Sequence, residues 1–116
     1  MKILIDADAC PVKDEVLKLS EEYNIEAIFV CSLSHYTKYY EERKIIPIYV
    51  DNVSQSADLA IINKAKSGDI VVTGDYGLAA VVLAKGAHAI SFSGILFDND
   101  CIDAMLSKRH ETLKKL

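Results

Sequence analysis

Hydrophobic positions along this chain follow two rhythms: short unbroken apolar runs, and longer stretches with an apolar residue every three or four positions. Ile3-Leu4-Ile5 is too short for a helix and is β-branched at both ends, which predicts a buried inner strand. Pro11 then fits the first position of a helix, where a missing N–H costs nothing. From there to about Tyr23, the residues Val12, Val16, Leu19 and Tyr23 recur at helical spacing. Asp14 and Lys18 are placed to pair on the wet face, and Asn24 stops the helix. Ile25 to Cys31 reads as a second strand and Ser32 to Lys44 as a polar, aromatic connection. Ile45 to Val50 reads as a third strand, in which Pro47 favours an edge position. Ser54 is a good N-cap for a helix through about Lys66, with Ala57, Ala60, Ile61 and Ala65 as its close-packing face. Ser67-Gly68-Asp69 closes that helix. Ile70 to Thr73 is a fourth strand ending at Gly74-Asp75. Tyr76 to Lys85 is a helix with almost no polar face, expected to be well buried, and Gly86 ends it. Ala87 to Phe92 is a fifth strand, Gly94 to Phe97 a short extended piece, and Asp100 to about Lys115 a last helix.

Strand and helix thus alternate, which predicts an α/β fold: a three-layer sandwich, one domain over residues 1–116, with a mainly parallel five-stranded sheet. Right-handed crossovers give the compact strand order 3-2-1-4-5, making strands 1 and 4 neighbours. The winding reverses between them, and ligands of such sheets bind at the carboxyl ends of the strands flanking that point. Asp6 and Asp75 both sit at those ends.

Composition narrows the picture further. A chain of 116 residues with 51% hydrophobic content has an ample core and no disordered character. No apolar run approaches the ~20 residues that span a bilayer. Met1-Lys2 leads straight into the first strand without a signal-peptide pattern, so a soluble cytoplasmic protein is expected. The net charge of −4 weighs against tight non-specific attraction to nucleic acid but leaves local binding open. Cys10, Cys31 and Cys101 are odd in number and lack zinc-like spacing. His35, His88 and His110 are scattered, and none is assigned as a ligand. The sequence specifies no oligomeric state.

The chemistry concentrates on acids. Asp6 and Asp8 follow the first strand at once, and carboxylates at such a junction must be solvated, paired or metal-bound. The plainer reading is that Asp8 caps the helix and Asp6 starts a turn. Asp58 falls in the first turn of the helix after Ser54, near the same sheet edge, where the helix dipole alone would favour an acid. Clustered carboxylates repel unless a cation neutralises them, and oxygen ligands suit Mg²⁺ or Mn²⁺. Thr73 has a hydroxyl to orient a carboxylate or water. Lys13 can reach a phosphate or lie exposed on its helix. Cys10 sits by a helix start, as a reactive thiol or a small packing residue. Between His35 and Lys44, tyrosines alternate with cations such as Lys38 and Arg43, as in grooves that hold single strands, although a plain connector reads the same way.

The runs Asp6-Ala7-Asp8-Ala9-Cys10-Pro11-Val12-Lys13, Ala57-Asp58 and Gly68-Asp69-Ile70-Val71-Val72-Thr73-Gly74-Asp75-Tyr76-Gly77-Leu78-Ala79-Ala80 resemble the bacterial YaiI/YqxD family. That family is also called UPF0178 or DUF188 and is grouped with PIN-like nuclease domains. The resemblance extends from Met1 to about Arg109. It implies a PIN-like fold and a metal-dependent nuclease site at Asp6, Asp8, Asp58 and Asp75. The chain departs from the family pattern in two places. Members usually continue past the equivalent of Arg109 with a Gly/Pro-bearing tail. Many carry an asparagine, a proline and a basic residue before the glycine matched by Gly94, where this chain has Ser91-Phe92-Ser93. Both departures bear on substrate contacts more than on the metal site.

The expectation is therefore a Mg²⁺- or Mn²⁺-dependent phosphodiesterase acting on RNA or single-stranded DNA. Asp6, Asp58 and Asp75 would ligate the metal, Asp8 would complete the cluster or position water, and Lys13, Thr73, Lys38 and Arg43 would meet substrate. The alternative is a non-catalytic protein that binds a nucleotide or RNA with help from a metal. A phosphatase of the haloacid-dehalogenase type, with Asp6 as nucleophile, fits less well because little chain is left for a cap. A receiver-like module phosphorylated on Asp51 fits less well because the fifth strand lacks the required lysine.

Overall fold

The computed structural model describes residues 1–35, 37–53, 55–100, 102 and 104. β1 (Lys2–Asp6) leads to α1 (Lys13–Glu22), β2 (Glu26–Ser32), a single 3₁₀ turn (Leu33–His35) and α2 (Lys38–Glu42). After these come β3 (Ile48–Val50), α3 (Ser56–Lys64), β4 (Ile70–Val72), α4 (Tyr76–Ala84), β5 (His88–Ile90) and β6 (Leu96–Phe97). Of the predicted last helix, Asp100, Ile102 and Ala104 are helical, as is Asn99 just before it; the remainder of that prediction falls outside the described residues.

One sheet carries six strands in the order β3-β2-β1-β4-β5-β6, where the pattern predicts five. The first five are parallel to their neighbours, and β6 returns antiparallel to β5. The extra strand comes from a tight turn. Ser91 N–H donates to Ile95 O at 2.9 Å and Gly94 N–H to Ser91 O at 3.0 Å, with Gly94 at φ +90°. That left-handed angle suits glycine and folds the predicted extended piece back as a strand.

Successive strand residues point to opposite faces. Leu4, Val30, Val71 and Ala89 meet α3 and α4 through Ile61, Ala65, Leu78, Ala79 and Val82. Ile3, Ile5, Phe29, Cys31 and Val72 meet α1 and Tyr40 on the other face. Helices therefore cover both faces, in three layers. The second face is only partly covered, since α1 leaves an apolar groove of about 430 Å³ over Ile70, Val72 and Ile90, rimmed by Leu19 and Tyr23.

Local details also differ from the pattern. Pro11 lies outside α1, whose N-cap position is Val12 with no side-chain cap; the fixed φ of proline suits the approach to a helix as well as its first turn. Ser54 is outside the described residues, and the cap position of α3 is Gln55, in the left-handed region at φ 70°. Asp14 pairs with Arg43 rather than with Lys18. Only one side of α4 is buried, through Leu78, Ala79 and Val82. Val81, on the other side of the helix, is 42% exposed among the described residues. At the amino edge of the sheet, the buried Asp69 carboxylate accepts from the Lys2 ammonium, from Lys2 N–H at 3.1 Å and from Lys66 N–H at 2.9 Å. No helix of the described residues is long and apolar enough to cross a membrane.

Candidate functional site

The register that pairs Ile5 with Val72 brings Asp6, one residue on, level with Thr73 at the carboxyl edge. The Thr73 hydroxyl, fully buried, donates to Asp6 Oδ2 at 2.9 Å and accepts from Asp75 N–H at 3.0 Å. One hydroxyl thus joins the two strand ends at which the winding reverses. Asp75 caps α4: its Oδ1 accepts from Gly77 N–H at 2.8 Å and Leu78 N–H at 3.2 Å. That leaves Oδ2 for other partners. Asp58, in the first turn of α3, shares a hydrogen bond with Asp75. Asp8 does not cap α1; its Oδ1 accepts from Ser32 N–H at 2.9 Å.

These acids act on one another. Burial raises the Asp6 carboxyl above its ordinary value, the Thr73 hydrogen bond opposes this, and the charges of Asp8 and Asp75 add to the rise. Asp58 is pushed up to about 6, by burial first, then by the charges of Asp75 and Asp6 and the shared hydrogen bond. Asp8, Asp58 and Asp75 line one open cleft of about 490 Å³, together with Ser32, Ser34, His35, Asp51, Asn52 and Gln55.

A hard divalent cation suits this donor set, which is all oxygen and under mutual repulsion. Among the described residues no three His, Cys, Asp or Glu side chains form a ready cage for a metal ion. An ion of the Mg²⁺ kind, which binds one or two carboxylates and keeps its waters, would be held by Asp58 and Asp75, which line the cleft, with Asp6 outside its lining.

The predicted basic contacts lie elsewhere. Neither Lys13, Lys38 nor Arg43 lines the cleft. Arg43 sits 4.0 Å above the Tyr39 ring and donates to Asp14 Oδ1 at 2.9 Å, and the Tyr39 hydroxyl donates to the same oxygen at 2.7 Å. Lys13 Nζ donates to Cys10 O at 3.0 Å. Tyr40 is buried edge-on against Phe29. The aromatic segment thus pins α2 to α1 and the sheet. Thr73 is too deeply buried to touch substrate and acts on the carboxylates. Cys10 is buried beneath α1, and burial, the leading cause, raises its thiol above its ordinary value, which describes a packing residue. Among the cleft residues to which the sequence reading gave no role are His35, Ser32, Ser34 and Asn52. The polar run Ser32-Leu33-Ser34-His35, immediately beyond a strand's carboxyl end, was the signal for them.

An open, mainly parallel α/β sheet with an acidic cleft at the reversal of its winding defines the class. The chain belongs to the DUF188 family, described as "Uncharacterized BCR, YaiI/YqxD family", which it matches over residues 4–115. It is 49% identical over 111 residues to a UPF0178 protein of Clostridium tetani, covering 95% of this chain and 73% of that one. It is 44% identical over 115 residues to a UPF0178 protein of Oceanobacillus iheyensis, covering 99% and 79%. A UPF0178 protein of Alkaliphilus metalliredigens is 43% identical over 116 residues, covering 100% and 74%. No solved structure matches the chain.

Proposed function

We propose that this chain is a Mg²⁺- or Mn²⁺-dependent nuclease that hydrolyses phosphodiesters of RNA or single-stranded DNA. The observation that carries the reading is the gathering of acids from β1, α3 and the β4–α4 junction: burial and the charges of Asp8 and Asp75 raise Asp6, and burial and the charges of Asp75 and Asp6 raise Asp58. Three separate chain segments spend stability to hold like charges together, and a cation at that place reverses the cost. Classification of the fold as PIN-like belongs to the same proposal and rests on the sequence resemblance.

Asp58 and Asp75 hold the cation in this reading, and Asp6, steadied by Thr73, supplies negative charge behind them. When bound, the cation polarises a phosphodiester and makes a nearby water more acidic. Asp8, with one oxygen on Ser32 N–H and the other 3.6 Å from His35 Nδ1, completes the acidic wall at the cleft mouth. Open approach along the sheet edge suits a flexible single strand better than a rigid duplex.

The test combines calorimetric titration with Mn²⁺ and cleavage of labelled RNA and DNA oligonucleotides by wild type and Asp75→Asn. Metal-dependent cleavage lost in Asp75→Asn supports the reading. Oligonucleotide binding without cleavage assigns the non-catalytic alternative, and absence of both Mn²⁺ binding and cleavage removes the proposal.

A further inference from the structure

We propose that His35 is the residue that grips a phosphate of the substrate strand in the cleft. The inference rests on the nucleic-acid reading above and names a substrate contact within it. The cleft presents Asp8, Asp51, Asp58 and Asp75, and His35 is the one described lining residue able to carry positive charge. A polyanionic strand entering this wall of acids needs hydrogen-bond donors beyond those a cation satisfies.

The ring is held for that task. Its Nδ1 lies 2.7 Å from Ser32 Oγ, 3.3 Å from Ser34 Oγ and 3.6 Å from Asp8 Oδ2. Among the described residues every polar contact of the imidazole uses that one nitrogen. The second nitrogen, Nε2, lies on the opposite edge of a ring whose side chain is 55% exposed. The protonated ring carries a proton on each nitrogen, so Nε2–H donates outward while Nδ1–H faces Ser32 and the Asp8 carboxylate; the neutral ring donates from Nε2 in the tautomer whose Nδ1 accepts from the Ser32 hydroxyl. The backbone beneath is equally fixed, because Ser34 N–H donates to Asn52 Oδ1 at 2.8 Å. That bond uses the amide oxygen of Asn52 and leaves its NH₂ as a second donor on the same wall.

Ser32, His35 and Asp8 superficially suggest a hydrolase triad, but the geometry excludes one. A triad needs serine on one ring nitrogen and carboxylate on the other, and here both face Nδ1. Asp8 and Ser32 position the ring; they do not relay a proton through it.

Steady-state cleavage of a labelled single-stranded RNA oligonucleotide in Mn²⁺ tests this, with oligonucleotide affinity by fluorescence anisotropy and Mn²⁺ affinity by calorimetry. His35→Ala is expected to raise KM and weaken oligonucleotide affinity about ten- to a hundredfold, the worth of a charge-assisted hydrogen bond. It should leave kcat and Mn²⁺ affinity within about threefold of wild type. His35→Arg should recover most of the lost affinity. Wild-type KM and affinity in both His35→Ala and His35→Gln, with Asp75→Asn inactive, overturn the proposal and leave the nuclease reading standing. A fall in kcat at unchanged KM also overturns it. If wild type binds the oligonucleotide without cleaving it and His35→Ala weakens that binding, the contact stands and the nuclease reading falls; if wild type does neither, both fall.

Discussion

Thr73 shows how much one buried hydroxyl can organise. It satisfies an Asp6 oxygen and the Asp75 N–H at once, so Thr73→Val, nearly equal in volume, leaves both without that partner. A buried group deprived of its hydrogen bond costs about 1–3 kcal/mol. Urea unfolding should show a loss of that size for Thr73→Val and a much smaller one for Thr73→Ser, which keeps the oxygen. A loss confined to Thr73→Ser, with Thr73→Val as stable as wild type, would mean that the methyl packing matters and the hydroxyl does not. Asp58 makes the opposite case, a residue whose removal should help the metal-free fold. Its carboxyl is raised from 3.8 to about 6, so well above that value its ionised form opposes folding. Taken whole, the shift corresponds to about 3 kcal/mol, which partial solvent screening reduces to about 1 kcal/mol. Asp58→Asn should therefore raise the melting temperature in EDTA at about pH 8, with the gain vanishing near pH 4 where folded and unfolded chains are both protonated. The same variant should lose Mn²⁺ binding, separating stability from function at one position.

Among the elements, α4 carries the clearest division between structural and chemical roles of a single acid. Asp75 caps it through one oxygen, on Gly77 and Leu78 N–H. Asparagine caps a helix about as well as aspartate, whereas alanine costs about 0.5–2 kcal/mol. Both Asp75→Asn and Asp75→Ala should lose metal affinity and relieve the repulsion on Asp6 and Asp58, but Asp75→Ala should melt below Asp75→Asn by the worth of the cap; equal melting of the two variants would show that the cap contributes nothing. The start of this helix was legible in the sequence because Gly74-Asp75 ends an apolar β run and an unbroken apolar stretch follows. Its burial was not, since an all-apolar helix reads as buried all round, yet Val81 faces solvent. β6 was hidden for a different reason. Two residues, Leu96 and Phe97, carry no periodicity, and their strand exists through the turn bonded by Ser91 and Gly94. Asp6 and Asp75 could be placed together from strand order alone, because backbone topology fixes where strand ends go. Lys13, Lys38 and Arg43 could not be placed that way. Long flexible cations settle on whatever acceptor lies near, and Arg43 found Asp14 and Tyr39. His35 escaped because the polar run Ser32-Leu33-Ser34-His35 reads as a plain connector until Asp8 and Asn52, distant in sequence, are seen beside it.

Asp69 at one sheet edge and Asp6 and Asp58 at the other are shifted in opposite directions, which gives the stability of the fold a distinctive dependence on pH and metal. At the amino edge, burial pushes the Asp69 carboxyl up, but the Lys2 side chain and the N–H groups of Lys66 and Lys2 outweigh this and hold it below its ordinary value of 3.8. A lowered carboxyl stabilises the fold above its unfolded value, and that stability is lost as pH falls through the lower folded value. Asp6 and Asp58, at the carboxyl edge, are raised. Their ionised forms oppose folding at neutral pH, and the opposition fades as pH falls through about 6 for Asp58. The metal-free protein should thus become more stable from about pH 8 to about pH 5, then lose stability below about pH 4 as Asp69 takes a proton. A divalent cation inverts the first trend. Binding only to the folded state adds about 2.7 kcal/mol when free metal is a hundredfold above its Kd, and it needs the carboxylates ionised. Melting temperatures with excess Mn²⁺ and with EDTA should therefore coincide near pH 5 and diverge steadily toward pH 8, with the metal-bound protein the more stable. Two curves that superimpose throughout would mean that no cation neutralises the cluster. A metal-free curve that does not rise from pH 8 to pH 5 would mean that the carboxylates do not repel one another enough to require one.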